Sequence, residues 1–383
     1  MRLEPPKKPR RRRGNALWIL AVLVVALIGG GVYLWLVPSP IRAVAWNPPP
    51  RPPVVGPLAQ NGRLMGADLI GRFAGPAAVA FDRAGRLYTG TEDGKIYRIA
   101  LAAAGGRTVE VFADTGGRPW GLAFDGAGNL VVADARQGLL AIDAGGKVRV
   151  LAKRDGTRAL GWLTAVAVAA DGRVYFSEAS EQPYGRDLYL EVLEARPTGR
   201  LLVYDPATNR VQVLATRLAL PGGLALASGS TAVLVSEAAR YRVMRYRLDG
   251  PGTGTGEPWI ENLPGYPGGM ARDGERFWLT IGEPRIDNID RVHPNAELKN
   301  WLAKLPASWV RGNEKGYGLV LLLDKNGRIL ESLQDPTGRV NRLSNVEHFG
   351  ADLYLATSIE NGIARVRLAA GRAQSGNGLD RSR

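Results

Sequence analysis

The stretch of sequence that decides the fold is GPAAVAFDRAGRLYTGTEDGKIYRI, residues 75–99. It contains a short apolar strand, a polar turn and a second strand in which apolar and polar residues alternate, the pattern of a hairpin. The turn at residues 82–85, Asp-Arg-Ala-Gly, supplies residue types that tolerate a positive φ in a tight connection. The stretch therefore predicts an antiparallel β-hairpin followed by a further strand.

The same pattern recurs along the chain, with further copies that begin near residues 118, 160, 219, 265 and 342. Short antiparallel strands that repeat in this way are typical of β-propellers, whose closed ring leaves no long edge strand exposed. A β-sandwich does not account for the fixed order of turn and strand. We therefore predict an all-β fold, a six-bladed β-propeller.

A charge-free segment of 22 residues, ALWILAVLVVALIGGGVYLWLV, occupies residues 16–37. A helix of this length crosses the hydrocarbon layer of a membrane, and Trp18 and Trp35 stand near its ends, where aromatic rings favour the headgroups. A cleaved signal peptide is the alternative, since Ala43-Val44-Ala45 resembles a cleavage site, but its apolar region would be shorter. The segment predicts an uncleaved signal anchor.

Charge is concentrated at the beginning of the chain, where residues 1–15 hold seven Lys and Arg against one Glu. Basic residues beside a membrane segment stay in the cytoplasm, so we expect the N-terminus inside and the propeller exported, periplasmic, extracellular or lumenal. Because this tail accounts for much of the net charge of +14, and no basic motif interleaved with aromatics follows, we expect no nucleic-acid partner. Zero Cys and two His exclude disulfides, Cys-ligated metals and multi-histidine sites.

The chain is thus divided into five predicted regions. They are a basic cytoplasmic tail (1–15), the transmembrane anchor (16–37), a Pro-rich spacer (38–60), the propeller (61–370) and a disordered tail (371–383). Two blades carry insertions, at residues 181–197 and 285–315, with apolar residues at helical spacing. Such stripes either pack onto the scaffold or form a lid over the central pocket.

Several stretches resemble the strictosidine synthase-like proteins of the gluconolactonase-type propeller superfamily. They are LYTGTEDGKIYRI at 87–99, RDLYLEVLEARPTGRLLVYDPAT at 186–208, ENLPGYPGG at 261–269 and YGLVLLLDKNGRILESLQDPTG at 317–338. The resemblance implies a six-bladed propeller with its site at one mouth of the channel. It also implies a small-molecule substrate or ligand. Relatives with a central calcium ion hydrolyse lactones or aryl esters, whereas the metal-free synthases condense an amine with an aldehyde.

The positions at which metal-dependent relatives place oxygen ligands differ here. The resemblance maps them onto Ala77, Thr164, Gly222 and Gly268, whereas a divalent cation favours several carboxylate or carbonyl oxygens. We therefore expect no metal cofactor. The Glu in the final blade on which the metal-free synthases depend maps onto Asn345, and an amide cannot serve as a general base.

The remaining candidate pocket consists of acids and aromatics at the same end of the strands. Second strands end in Asp134 and in Glu178, Glu237 and Glu283, and Trp120, Trp162 and Tyr266 stand beside the starts of first strands. Glu347 and His348 follow Asn345 and are a candidate acid–base pair, but adjacent side chains of a strand point in opposite directions, which argues against the pair. The acids either ring the mouth and bind a ligand or are structural loop carboxylates.

Two functions follow from these observations. One is a membrane-anchored enzyme, a lactonase- or arylesterase-like hydrolase or a strictosidine synthase-like lyase, with relocated residues. The other is a non-catalytic propeller that binds a ligand or a protein. The overall resemblance favours the first, and the replaced residues favour the second.

Overall fold

A computed structural model describes residues 13–101, 106–156, 158–311, 316–357 and 362–368. Most of the predicted basic tail and all of the predicted C-terminal tail lie outside the described residues. Within the described residues, 24 strands form six four-stranded antiparallel sheets. The predicted six-bladed β-propeller is confirmed.

Each of the first three blades is built from four consecutive strands, the first innermost. Blade 1 contains β2 (Ala78–Phe81), β3 (Leu87–Gly90), β4 (Lys95–Leu101) and β5 (Arg107–Asp114). Blade 2 contains β6 (Pro119–Phe124), β7 (Leu130–Asp134), β8 (Gly138–Ile142) and β9 (Val148–Ala152). Blade 3 contains β10 (Leu163–Val168), β11 (Val174–Glu178), β12 (Gly199–Asp205) and β13 (Arg210–Leu218).

The next two blades follow the same order, and the last one uses both ends of the propeller sequence. Blade 4 contains β14 (Pro221–Leu226), β15 (Ala232–Glu237), β16 (Arg242–Arg247) and β17 (Gly256–Ile260). Blade 5 contains β18 (Gly265–Asp273), β19 (Arg276–Pro284), β20 (Gly318–Leu323) and β21 (Ile329–Asp335). Blade 6 contains β22 (Leu343–Phe349), β23 (Asp352–Thr357), β24 (Ile363–Arg367) and, as its outermost strand, β1 (Asp68–Ile70).

Strand β1 closes the ring, because it comes before blade 1 in sequence but pairs with the last strand of blade 6. Leu69 is paired with Ala364 and Ile70 with Ile363. Ile70 is 4% exposed and packs in a core shared by blades 6 and 1. Burial of this apolar surface holds the first and last blades together.

The apolar N-terminal segment forms helix α1 (Arg13–Leu36), of which Trp18–Leu36 is long and apolar enough to cross a membrane. The two insertions form four short helices at one end of the ring, which we call the cap. They are α2 (Leu188–Glu194) from blade 3, and α3 (Asp287–Val292), α4 (Ala296–Leu302) and α5 (Ala307–Arg311) from blade 5. Ile41, Tyr189, Leu193, Ile286 and Ile289 form the buried centre of the cap.

The Pro-rich segment after α1 is extended, as its prolines predict, but it lies against the cap over much of its length. The Val44 amide donates to the Glu194 carbonyl (2.9 Å), and the Trp46 amide donates to the His293 carbonyl (3.1 Å). The ammonium of Lys299, a residue with no exposed surface, donates to the Val44 carbonyl at 2.6 Å. The segment is therefore attached to both insertions.

The closure by β1 gives a test with a matched pair of variants. Ile70→Ala is expected to lower the free energy of unfolding by about 2–5 kcal/mol, because it leaves a cavity between blades 6 and 1. Leu69→Ala, in the same strand but 44% exposed, is the control and is expected to change it by no more than about 0.5 kcal/mol. Equal melting temperatures for the two variants would contradict this role of β1.

Candidate functional site

A cavity of about 260 Å³ lies between the cap and the end of the ring where the innermost strands begin; we call it the mouth cavity. Blades 2 to 6 and helices α2 and α3 contribute to its wall. The wall is largely apolar and aromatic, formed in part by Trp120, Trp162, Tyr189, Val192, Tyr266 and Ile289. Of the two alternatives for the insertions, α2 and α3 therefore form a cover over the pocket and also pack against the scaffold.

The aromatic residues predicted for the pocket all line the mouth cavity. The Trp120 and Trp162 rings meet edge to face with centroids 5.6 Å apart, and Tyr184 packs against both. On the other side, the Tyr241 ring stacks at an angle on Tyr266, 5.2 Å between centroids. These ring contacts hold Trp120, Trp162 and Tyr266 in place in the cavity wall.

Tyr266 is linked to a half-buried carboxyl through hydroxyl contacts. The Tyr241 hydroxyl lies 3.3 Å from that of Tyr266 and donates to the Asp290 carboxylate of α3 at 2.7 Å. Burial raises the pKa of Tyr241, so its hydroxyl keeps the proton that it donates, and burial also raises the pKa of the Asp290 carboxyl. This network ties helix α3 to the wall of the cavity.

The charged residues at the cavity are Asp187, Glu283 and Arg342. Asp187 caps helix α2 by accepting from the Tyr189 amide at 2.9 Å. Glu283 faces Arg342, with 3.3 Å between its Oε1 and the arginine Nε, and the two side chains are 27% and 35% exposed. This ion pair joins blade 5 to the start of blade 6 and is accessible from the cavity.

Glu178 and Glu237 do not line the mouth cavity, unlike Glu283. Both are fully buried in their own blades, and Glu178 accepts from Arg158 and Arg200 at 2.5 Å each. Glu237 is paired with Arg242 of the adjacent strand. These arginines come from the same blade as the carboxylate or from the connection that leads into it, so Glu178 and Glu237 are part of the scaffold.

Strand register explains why Glu283 differs from these two acids. Glu178 pairs with Leu163, and Glu237 with Pro221, at the beginning of the innermost strand. In blade 5 the corresponding partner of Pro267 is Ile281, so Glu283 lies two residues farther along the longer strand β19. The sequence carries this signal, because Ser-Glu at 177–178 and 236–237 corresponds to Thr-Ile at 280–281.

The acids at this register position share one structural role. Asp134 accepts the amide of Arg118 (2.9 Å), and Glu237 accepts that of Ala219 (2.8 Å). Glu178 does the same for Gly161 at 2.5 Å. Each carboxylate thus satisfies a backbone N–H just ahead of an innermost strand, a group that is costly to bury without a partner.

The four family metal positions do not offer calcium ligands. Ala77 is buried, Gly222 and Gly268 have no side chain, and the Thr164 hydroxyl lies 2.9 Å from that of Ser177 and donates to the Pro221 carbonyl at 2.8 Å. Within the described ranges, no group of three His, Asp or Glu side chains is placed to hold a metal ion. These residues do not fit a hard cation that needs several oxygen ligands.

Innermost strand β22 holds Asn345 and Glu347, neither of which lines the mouth cavity. The Asn345 side-chain oxygen accepts from the Val79 amide of blade 1 at 3.2 Å, a contact between blades. Neighbouring His348 points to blade 5, with its Nδ1 3.4 Å from Asp273. Glu347 is half-buried, and burial raises the pKa of its carboxyl to about 7.

The scaffold role of Glu178 gives a second test. Glu178→Ala removes the fully buried carboxylate that Arg158 and Arg200 share, although Arg200 keeps its pairing with Asp155, and it is expected to lower the free energy of unfolding by about 3–5 kcal/mol. Glu110→Ala removes a carboxylate that is paired with Arg98 but 54% exposed, and it is expected to leave the melting temperature nearly unchanged. A Glu178→Ala protein as stable as wild type would show that Glu178 is not part of the scaffold.

Glu347 predicts a pH dependence of stability. Its folded pKa of about 7 lies above the value of about 4.3 in an unfolded chain, so the folded state binds more protons between these values. The free energy of unfolding should therefore fall as pH rises from about 4.5 to about 7. Glu347→Gln should lose this decline in thermal melts at several pH values, whereas Glu275→Gln, an exposed control, should keep it. An unchanged profile for Glu347→Gln would contradict the assignment.

Sequence and structure comparisons agree with this architecture. Residues 164–251 match the family model described as Strictosidine synthase, and residues 56–99 match Strictosidine synthase-like, N-terminal. The adipocyte plasma membrane-associated protein of Danio rerio is 30% identical, over 90% of this chain and 88% of its own length. Strictosidine synthase-like 7 of Arabidopsis thaliana is also 30% identical, over 83% of this chain and 86% of its own.

Solved structures show the same fold at low sequence identity. A gluconolactonase of Xanthomonas campestris superposes with a TM-score of 0.59 at 18% identity, covering 87% of this chain and 99% of its own. Regucalcin of Agrobacterium tumefaciens, a calcium-binding protein, gives 0.55 at 16% identity, covering 78% of this chain and 92% of its own. These structures show the fold, and the two relatives at 30% identity, matched over 88% and 86% of their own length, show that the chain belongs to the strictosidine synthase-like family.

Proposed function

We propose that this chain is a membrane-anchored propeller that binds a small organic molecule, with an apolar body and a carbonyl group, in the mouth cavity without calcium. The observation that carries the proposal is the covered, aromatic cavity with the accessible ion pair of Glu283 and Arg342 at its edge. Small-molecule sites have this composition, an apolar wall with a few placed polar groups.

The anchor is helix α1, with the N-terminus in the cytoplasm and the propeller exported. Its length and composition support this part of the proposal, as does the basic tail before it. Several relatives are named plasma membrane-associated proteins, which agrees with an anchored family member. The four positions without carboxylates support binding without calcium.

The reaction that fits the cavity is attack on the carbonyl by water or an amine. In hydrolysis of an ester, the Glu283 carboxylate takes a proton from the attacking water while the Arg342 guanidinium holds the carbonyl oxygen. The carbon–oxygen bond to the alcohol then breaks, and the alcohol leaves with the proton from Glu283. The products are an acid and an alcohol, so all atoms are accounted for.

A non-catalytic binding protein is the second candidate, favoured by one observation. Glu283 is already engaged by Arg342, so the ion pair occupies the carboxylate and the guanidinium that the reaction would use. Asn345, moreover, stands at the position of the Glu used by the metal-free synthases and is engaged with Val79.

Thermal melting of the full chain with a panel of lactones and aryl esters, with calcium or with chelator, tests the proposal. A ligand at a hundredfold excess over its Kd stabilises the folded chain by about 2.7 kcal/mol, and this should not depend on calcium. Val192→Trp fills the cavity and should abolish the shift. Val213→Trp, on outer strand β13 and 40% exposed, is the matched control and should retain it.

Turnover separates the two candidates. Loss of ester hydrolysis in Glu283→Gln, with hydrolysis retained in Glu275→Gln, supports the enzyme. Binding without turnover supports the binding protein. A melting shift that requires calcium, or that survives in Val192→Trp, would overturn the proposed site.

A further inference from the structure

The outer surface of the cap exposes large apolar side chains. We call the set of Leu188, Leu298, Trp301 and Trp309 the apolar patch; their exposed fractions are 46%, 42%, 43% and 74%. The helical spacing of Leu298 and Trp301 predicts packing onto the scaffold, but the structure buries Lys299 between them and turns these two outward. Because α2 contacts α4, and α3 contacts both α4 and α5, these side chains belong to one small region of the cap, and apolar surface gathered in this way marks an interaction site.

The apolar patch lies beside the end of the membrane helix. The Lys304 ammonium, between α4 and α5, donates to the Leu34 carbonyl of α1 at 2.6 Å. That carbonyl belongs to the last turn of the helix, where no intrahelical partner remains. Lys304 also stands 4.4 Å from the centre of the Trp301 ring. The cap therefore contacts α1 directly, through a residue adjacent to the patch.

The connection from α1 to the cap is too short to hold the cap away from a membrane. Helix α1 ends at Leu36, and the Pro40 carbonyl already accepts from Arg186 at 2.7 Å, two residues before the patch residue Leu188. Four extended residues span at most about 14 Å. The headgroup layer itself is about 5–8 Å deep on each side of the hydrocarbon.

We infer that the apolar patch docks on the lipid surface of the membrane that α1 crosses, with Trp301 and Trp309 at the level of the headgroups. This inference rests on the proposed membrane anchor and mouth cavity. Tryptophan favours that level because its ring is apolar and its N–H is polar. The Lys304 ammonium beside Trp301 suits the phosphate of a headgroup.

Docking in this orientation also indicates the class of ligand that the mouth cavity binds. Leu188 belongs both to the apolar patch and to the wall of the mouth cavity. The edge of the cavity at α2 then opens at the membrane surface, and its apolar wall continues towards the hydrocarbon. The ligand is accordingly an amphiphile, with a polar carbonyl head and an apolar tail, that enters from the bilayer.

Site-specific labelling tests the docking, because the chain has no Cys. Ser308→Cys places a single thiol on exposed α5 while Trp309 is retained, and Ala127→Cys places one on an exposed turn between β6 and β7 as control. Each full-length variant is labelled with an environment-sensitive fluorophore and reconstituted in phosphatidylcholine vesicles. Lipids carrying a spin label near the headgroup should quench the probe at 308 and not the probe at 127.

Two further measurements test the docking of the patch separately from the anchoring by α1. Replacing Trp301 and Trp309 by Ala in Ser308→Cys should reduce the quenching while the protein still floats with the vesicles. Flotation with equal, weak quenching at 308 and 127 would overturn the docking and leave the anchor in place, and would point to a protein partner for the patch. Failure to float would instead overturn the proposed anchor.

The ligand class is tested with two neutral amides that share a head group, decanamide and acetamide. Decanamide should raise the melting temperature of the full chain and of Val213→Trp, and not that of Val192→Trp. Acetamide should have no effect on any of them. If aryl esters bind in the mouth cavity but decanamide does not, the inference of an amphiphilic ligand is overturned, while the mouth cavity remains the binding site.

Discussion

Pairing of β1 with β24 is the constraint on which the rest of the structure depends. Three residue pairs join the chain before blade 1 to the end of blade 6 and make a ring from an otherwise open row of sheets. Only in a closed ring do the starts of five innermost strands face one another around a common cavity. The same pairing fixes where the N-terminal segment leaves the propeller, and hence where it meets the cap.

The sequence predicted the blades well because hairpin signals are local. Each hairpin is marked by Gly and Asp at its turn and by alternating apolar and polar residues in its strands, all within about 25 residues. Six copies of this pattern favour a six-bladed propeller over other all-β folds. Trp120, Trp162 and Tyr266 could be named as pocket candidates for the same reason, since each stands beside the start of an innermost strand. Both insertions were located, although not the outward orientation of Leu298 and Trp301.

The acids could not be assigned from the pattern alone. The partners of Glu178 lie 20 and 22 residues away in sequence, and nothing local marks Arg158 and Arg200 as its counter-charges. Glu283 was grouped with Glu178 and Glu237 although the register of β19 places it elsewhere. The contacts of the Pro-rich segment with the cap could not be predicted either. They use backbone groups of the segment, which are the same in every sequence.

Ring closure also sets when the protein can fold. Strand β1 is among the first parts of the propeller to be synthesised, whereas its partner β24 is among the last, with about 300 residues between them. At about 5–20 residues per second, β1 remains without its partner for roughly 15–60 s. Such long-range pairing makes closure slow and leaves strand edges open to wrong partners. The first and last parts of the propeller must therefore be kept from wrong pairing until nearly the whole chain has been made.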